Sequence, residues 1–397
     1  MSIKGADHQH PSRVVVALSG GSDSALAAAL LQQQGWAVAG LHFILPSSPS
    51  RQRARTVSVQ RVGECLDIPI DFIDLLEVFA RCVVDPFEEA YLKGLTPNPC
   101  ILCNERIKFE HLARYGDEKA MPYLATGHYA TIRLRSDGVA QLWRGQDRGK
   151  EQSYFLHRLK QEHLSRTILP LGNMTKVQAR ALSVNMGLPT ASEPESQEIC
   201  FLPGNDYRLF LEERKGEGLR RKGDIVTRDG KKVGEHEGTY RYTIGQRHGL
   251  GIASPSPYYV MEIRPHLNQV VVGRKEDLFT RIVTAVGFHW TEGKSSLRSL
   301  RVQAQIRYRH TAAPGTLELV TEEEVRFEFD EPQWAITPGQ ALVCYDGDRV
   351  IGGGWIYKEG CTAQGKRKRR EDRRSVVRRA ESKEQRAYRE ERSAKAK

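Results

Sequence analysis

Val14-Val15-Val16-Ala17-Leu18 runs directly into Ser19-Gly20-Gly21-Ser22-Asp23-Ser24, and Ala25-Leu26-Ala27-Ala28-Ala29-Leu30-Leu31 follows without a break. The first run has the length and apolar content of a buried strand, and the last has those of a helix. Between them a Gly/Ser turn brings successive backbone N–H groups and a helix start to one point, which suits a phosphate. Gly20 and Gly21 permit close approach, Ser19, Ser22 and Ser24 add hydroxyl donors, and Asp23 suits a Mg²⁺ ion held on phosphates. The spacing is not that of a GxxxxGKS/T loop, and no lysine stands in the turn. An ordinary turn capped by Asp23 or Ser24 would use the same residue types. The order strand, glycines, acid, helix favours a nucleotide loop.

Outward from this turn, strand-like and helical stretches alternate up to about Ala130. The strand-like runs are Val14–Leu18, Ala37–Leu45, Ile68–Leu75 and Tyr123–Thr126, which predicts an α/β domain with a mostly parallel sheet. Ser47–Arg55, with its serines and prolines, reads as a loop. Thr96-Pro97-Asn98-Pro99 is a stiff extended segment, because each proline also restricts the residue before it. Helical patterns follow at Asn104–Tyr115, Gln161–Leu164 and Lys176–Met186. From Gly234 the character changes. Runs such as Tyr258–Ile263, Gln269–Val272, Val302–Tyr308, Thr316–Val320, Val325–Phe329 and Ala341–Tyr345 predict antiparallel sheet or a small barrel.

The chain of 397 residues is long enough for two or three domains. No apolar run approaches the ~20 residues of a membrane span, and the polar Met1–Ser12 carries no secretory h-region. The expected compartment is the cytoplasm, with no membrane partner. The net charge of +11 is concentrated: Gly365–Lys397 holds fifteen Lys/Arg against six Asp/Glu. Such a tail cannot bury a core and is expected to be disordered or a solvated helix. Its use would be a non-specific grip on RNA, screened by salt.

Seven cysteines, an odd number in a large chain without a secretory signal, argue for metal, redox or catalytic use of a few. Cys100 and Cys103 form a CxxC at a helix start, where two thiols share one side of a turn and the helix end lowers thiol pKa. Zinc, redox exchange and catalysis all use that spacing. Cys200 lies among acids in Glu195-Ser196-Gln197-Glu198-Ile199-Cys200-Phe201, and its local sequence reads as a buried structural cysteine. His128, after Gly127 at a presumed strand end, either faces a ligand or anchors the loop. Arg247 and His248, in a Gly-rich turn, either touch a phosphate or are solvated.

Several motifs stand together in order: Ser19–Ser24, Thr96-Pro97-Asn98-Pro99-Cys100-Ile101-Leu102-Cys103-Asn104, Ala125-Thr126-Gly127-His128-Tyr129 and Lys150-Glu151-Gln152-Ser153-Tyr154-Phe155-Leu156. Ser196–Phe201, Ile244-Gly245-Gln246-Arg247-His248-Gly249-Leu250-Gly251, Phe329-Asp330-Glu331-Pro332 and Thr337-Pro338-Gly339-Gln340 complete the set. The first resembles the pyrophosphate loop (PP-loop) of ATP pyrophosphatases. The whole set, from about Arg13 to Trp355, resembles the bacterial tRNA-specific 2-thiouridylases.

The resemblance implies a Rossmann-like PP-loop catalytic domain with a mostly parallel sheet, a small central domain and a C-terminal antiparallel β-barrel. The expected divisions are 1–12 as a flexible N-terminus, 13–205 catalytic, 206–275 central and tRNA-contacting, 276–360 barrel and 361–397 tail. It implies an enzyme that adenylates the 2-oxygen of the tRNA wobble uridine with ATP and replaces it by sulfur. Carried over by position, Ala17, Leu18, Ser19, Gly20, Gly21, Ser22, Asp23, Ser24, Phe43 and Gly127 line the ATP site. Asn98, Pro99 and Cys100 face the target base, and Lys150, Glu151, Gln152, Arg307 and Tyr308 contact tRNA. Cys103 is the nucleophile and Cys200 the persulfide carrier, charged by a sulfur-donor protein and closing a transient disulfide, with sulfide the sulfur source of a cluster route instead.

The chain departs from the family's usual pattern at Cys100, where many relatives carry aspartate, at Ser22 for Val, at Glu151 for Asp and at His42-Phe43 for Phe-Met. Three thiols, Cys100, Cys103 and Cys200, open a second sulfur route through a 4Fe–4S cluster with one open iron. The expected cofactors are therefore ATP and Mg²⁺, with persulfide and cluster as alternatives. Two other readings account for less of the chain. One is another PP-loop adenylating enzyme, such as an amidating synthetase or a different tRNA modifier. The other is an inactive RNA-binding scaffold, against which Asp23, Cys103 and Cys200 all speak.

Overall fold

Val14, Val15 and Val16 are wholly buried in strand β1 (Arg13–Ala17), so both faces of the first strand are covered, as in a parallel sheet between helices. The computed structural model describes residues 12–191, 199–293 and 298–358. Around β1 stand β2 (Ala37–Ile44), β3 (Ile70–Asp74), β4 (Tyr123–Ala125) and β7 (Thr167–Ile168), in the order β3-β2-β1-β4-β7 and all parallel. Helix α1 (Ser22–Gln33) follows β1, with Ala25, Leu26, Ala27, Ala28 and Leu31 fully covered. The sequence order 1-2 to one side and 4 to the other puts the switch point beside the Gly/Ser turn.

The stretch read as a loop is instead largely helix. Helix α2 (Pro49–Leu66) takes in residues 49–55, with Pro49 at its first position and the Ser48 hydroxyl accepting from Arg51 N at 3.4 Å. Proline fits there because its missing N–H would be unpaired in any case. At its other end, Gly63 lets the Ile70 side chain approach closely.

A second sheet, in the order β10-β11-β8-β9, is built from β8 (Gly223–Thr227), β9 (Lys232–His236), β10 (Tyr259–Arg264) and β11 (Gln269–Gly273). It encloses its own small core of Ile225, Val260, Ile263, Val270 and Val272. The third sheet joins β12 (Phe279–Trp290), β13 (Ser299–Gln305), β14 (Ala313–Leu319), β15 (Glu324–Trp334), β16 (Ala341–Asp346) and β17 (Arg349–Tyr357). All their pairings are antiparallel, and β12 pairs with both β15 and β17, which closes a six-stranded barrel. The expected α/β domain, small middle domain and C-terminal barrel are therefore all present.

The parts are stitched together. The hairpin of β5 (Ala130–Leu134) and β6 (Ala140–Arg144) leaves the first domain and pairs with β17 through Trp143 and Arg349. One hydrophobic cluster unites Ile101, Phe109, Tyr154 and Leu156 with Ala341, Val343, Tyr345 and Val350 of the barrel. Helix Tyr207–Lys215 lays Leu211 into the core holding Phe79, Phe87 and Phe201, and the carboxylate of buried Glu88 pairs with Arg214 and Lys215. No helix among the described residues is long and apolar enough to cross a membrane.

Candidate active site

The turn between β1 and α1 is shaped by its glycines. Gly20 has φ +82°, a conformation that disfavours any side chain, and Ser58 on α2 donates to its carbonyl at 2.8 Å. Gly21 is the N-cap of α1 with no side-chain cap, so the first-turn N–H groups are left to an external acceptor. Ser24 Oγ donates to Gly21 O at 3.0 Å and accepts from Ser19 N at 3.1 Å. The donor chemistry of this turn suits a phosphate.

Behind it, Gly127 presses against the loop. A Cβ there would stand 2.7 Å from Asp23 C and 2.8 Å from Ser24 N. Asp23 Oδ1 accepts from Tyr129 Oη at 2.8 Å and from Lys176 Nζ at 2.6 Å. Lys176 was missed in the sequence because it lies 153 residues from Asp23, and only its place at a helix start marked it. Leu18 and Phe43 are buried, Phe43 in the core with Leu41 and Phe79, and Ala17 packs at that core's edge. Phe43 therefore offers a cradle little more than a covered wall.

Asn98 caps the helix Pro99–Cys103, its Oδ1 accepting from Cys100 N at 3.2 Å, and Pro99 is buried beneath it. Cys103 is buried in the Phe79–Phe87–Phe201 core, and half-buried Cys200 packs against the same core. Phe201 anchors Cys200 by edge contacts to Phe79 and Phe87, 5.6 and 5.3 Å between ring centres. Residues 192–198, including Ser196–Glu198 of the motif, lie outside the described residues. Cys361 and the tail do too.

The expectation of thiols activated by a helix end is overturned. Burial pushes the Cys103 thiol up to about 12; Lys108 opposes the shift, and Cys200 and Cys100 reinforce it. Cys100 keeps an exposed surface, yet its crowded surroundings push it up to about 11. The helical backbone runs on without a break through residues 104–118, so the thiols do sit in its first turns, and desolvation outweighs what the helix end and Lys108 offer them. Burial likewise pushes His128 down to about 3, so its imidazole is neutral; Nδ1 lies 2.7 Å from Thr126 Oγ1. It is an anchored, uncharged group beside Phe109.

Of the Lys150-Glu151-Gln152 stretch, Glu151 faces inward. Its carboxylate accepts from Ser153 N and Oγ at 3.0 and 2.6 Å and lies 3.6 Å from Arg144. Gln152 exchanges two hydrogen bonds with the Tyr129 backbone, while Lys150 is half-exposed. Tyr308 reaches over from the barrel, its ring 4.3 Å from that of Phe155, and Arg307 donates to Trp334 O at 3.2 Å.

The barrel also grips the loop before Cys100. Gln340 Nε2 donates to Thr96 O at 2.8 Å, and Thr96 N donates to Pro338 O at 2.9 Å. Gly339, at φ +93°, would place a Cβ 2.9 Å from Thr96 N. Gly339→Ala is expected to cost about 1–3 kcal/mol, read as a lowered thermal midpoint, and to loosen Asn98–Cys100. An unchanged midpoint would show that this contact carries no load.

The family described as "tRNA methyl transferase HUP domain" matches residues 12–204, a matching PRC-barrel domain covers 209–274, and an "aminomethyltransferase beta-barrel domain" covers 280–356. The chain is 45% identical over 356 residues to a tRNA-specific 2-thiouridylase MnmA of Geobacter metallireducens, covering 87% of this chain and 96% of that protein. It belongs to the tRNA-specific 2-thiouridylase family. The MnmA proteins of Syntrophotalea carbinolica and Carboxydothermus hydrogenoformans are 45% and 44% identical, covering 86% and 87% of this chain and 98% of each relative. Within a 2-thiouridylase, the described cysteines have to be weighed as sulfur carriers or cluster ligands. Among the described residues, no three His, Cys, Asp or Glu side chains converge as a metal site. The thiols as placed do not fit a cluster.

Proposed function

We propose that this protein thiolates the 2-position of the wobble uridine of tRNA in an ATP-dependent reaction, with sulfur carried on Cys200. The observation that carries the reading is the placement of the two thiols: Cys103 lies in one core and Cys200 packs against it, and Arg55 is common to the surroundings of Cys200 and of the PP-loop. The Arg55 backbone lies against Gly20, and its guanidinium is within electrostatic range of Cys200. An adenylation site and a pair of thiols are what the replacement of a carbonyl oxygen by sulfur needs.

The uridine 2-oxygen attacks the α-phosphorus, and pyrophosphate leaves with the electron pair of the broken P–O bond. The outer sulfur of the Cys200 persulfide then adds to C2. Cys103 thiolate attacks the inner sulfur, the S–S pair moves to the sulfur on C2, and AMP departs with the old oxygen. The Cys103–Cys200 disulfide left behind takes two electrons from a thiol reductant. Mg²⁺, where held by Asp23, would neutralise phosphate charge. Asn98, Pro99 and Cys100 would border the base and Lys150, Arg307 and Tyr308 the RNA, with Glu151 and Gln152 holding that surface in shape.

Nucleoside mass spectrometry after incubation of unmodified tRNA with protein, ATP, Mg²⁺ and a persulfide donor tests this. ATP-dependent 2-thiouridine is expected. Its absence, with ATP and tRNA both bound, would turn the reading toward another PP-loop adenylating chemistry. Removing residues 365–397 is expected to weaken tRNA binding and to flatten its dependence on salt, by about 0.7–0.9 in log–log slope per lost phosphate contact. An unchanged slope would deny the tail an RNA role.

A further inference from the structure

A PP-loop without a lysine faces an electrostatic problem. Pyrophosphate departs with growing negative charge, and the backbone N–H groups of Ser19–Ser24 supply only partial charges against it. Residues 171–176 bring the missing cation. Gly172 lies tight against the Ala130 carbonyl, and its own carbonyl accepts from Gln146 N at 2.8 Å. Thr175 caps the helix Lys176–Asn185 in a reciprocal pair with Gln178, and Lys176 N donates to Asp147 Oδ2 at 2.9 Å. The backbone of Lys176 is thus fixed from both sides.

Its side chain is 15% exposed and reaches the PP-loop, where Nζ stands 2.6 Å from Asp23 Oδ1 and 5.8 Å from the Tyr129 ring centre. Tyr129 Oη holds the same oxygen. An ammonium already within hydrogen-bond distance of the loop acid needs only side-chain rotation to meet an anion seated on the N–H groups beside it.

We infer that Lys176 is a catalytic residue of the adenylation step, binding the β- and γ-phosphoryl oxygens and taking up the charge of the leaving pyrophosphate. This rests on the ATP reading given above. In the resting protein Lys176 neutralises Asp23. With nucleotide bound, its three N–H donors turn to the polyphosphate, while Asp23 is released toward the cation that accompanies it. No proton is transferred: the P–O bond pair goes to pyrophosphate, and Lys176 stabilises it by charge and hydrogen bonding. The lysine that other phosphate loops carry internally is here supplied from a helix start far along the chain.

The test separates the two halves of ATP. Binding of Mg²⁺–pyrophosphate and of AMP is measured by calorimetry for the wild type, Lys176→Met and Lys176→Arg, alongside AMP formation with tRNA. Loss of one charge-assisted contact is expected to weaken pyrophosphate binding by about ten- to a hundredfold in Lys176→Met. AMP affinity should stay within about twofold, a difference too small to reflect a lost hydrogen bond. Lys176→Arg should restore part of the pyrophosphate affinity, and the thermal midpoint of both variants should follow the wild type. Equal loss of AMP and pyrophosphate affinity, or loss of neither, would overturn the assignment and leave Lys176 as a brace for Asp23. A wild type that binds neither ligand would instead bring down the ATP reading itself.

Discussion

Cys103→Ala and Cys200→Ala are each expected to abolish tRNA thiolation, by at least about three orders of magnitude as for the loss of other covalent nucleophiles, with tRNA affinity nearly intact. Both side chains are small and lie at or in one apolar core, so the fold loses little when a sulfur is removed. Either wild-type turnover or collapse of the fold in these variants would refute the assigned roles. The Cys103 thiol adds a pH signature. Pushed up to about 12 by burial, it is almost entirely protonated at neutral pH before tRNA binds. The thiolate, and with it the rate of alkylation by iodoacetamide, should rise about tenfold per pH unit over the range below that value. Peptide mass spectrometry of labelled protein at pH 7 and pH 9 reads this directly. Labelling of Cys103 at pH 7 as fast as an exposed cysteine would show that the thiol is already activated.

Local features of the chain were legible and long-range ones were not. β1, the turn and α1 were readable because apolar content, glycine and an N-terminal acid act over a few residues. The start of α2 was hidden by a Ser/Pro composition that serves turns and helix caps alike. β17 escaped notice because Gly352-Gly353-Gly354 looks like a loop. Those positions lack side chains because the neighbouring strands and His157 crowd in, which only the closed barrel reveals. β12 is likewise interrupted by Gly287 at φ +60° and a register shift against β17. In the site, the Gly/Ser turn between β1 and α1 was visible in sequence, whereas Lys176, the inward turn of Glu151 and the raised thiol pKa values all depend on burial and on partners distant in the chain. Cys200 reads as structural from its neighbours; the carrier role proposed for it comes from the family resemblance, and only the fold sets it against the core that holds Cys103.

Gly127→Ala should leave tRNA binding in place and slow the ATP-dependent step about a hundredfold. The added methyl would fall 2.7 Å from Asp23 C, 2.8 Å from Asp23 O and 2.8 Å from Ser24 N, so it meets the loop's Asp23–Ser24 peptide, not a side chain that could swing away. Either β4's exit or the PP-loop has to move, and both are tied down: Tyr129 holds Asp23, and Ser24 is hydrogen-bonded to Ser19 and Gly21. Overpacking of this kind costs about 1–3 kcal/mol of stability, and an ångström of displacement at reacting groups costs about a hundredfold in rate. Thermal melting and AMP formation in the presence of tRNA measure the two effects separately. Gly218→Ala, where nothing lies within 4 Å of the added carbon, is the control and should change neither. If Gly127→Ala keeps full ATP turnover, the strand end and the loop do not act as one rigid cradle. Nucleotide specificity would then have to come from elsewhere on the sheet edge.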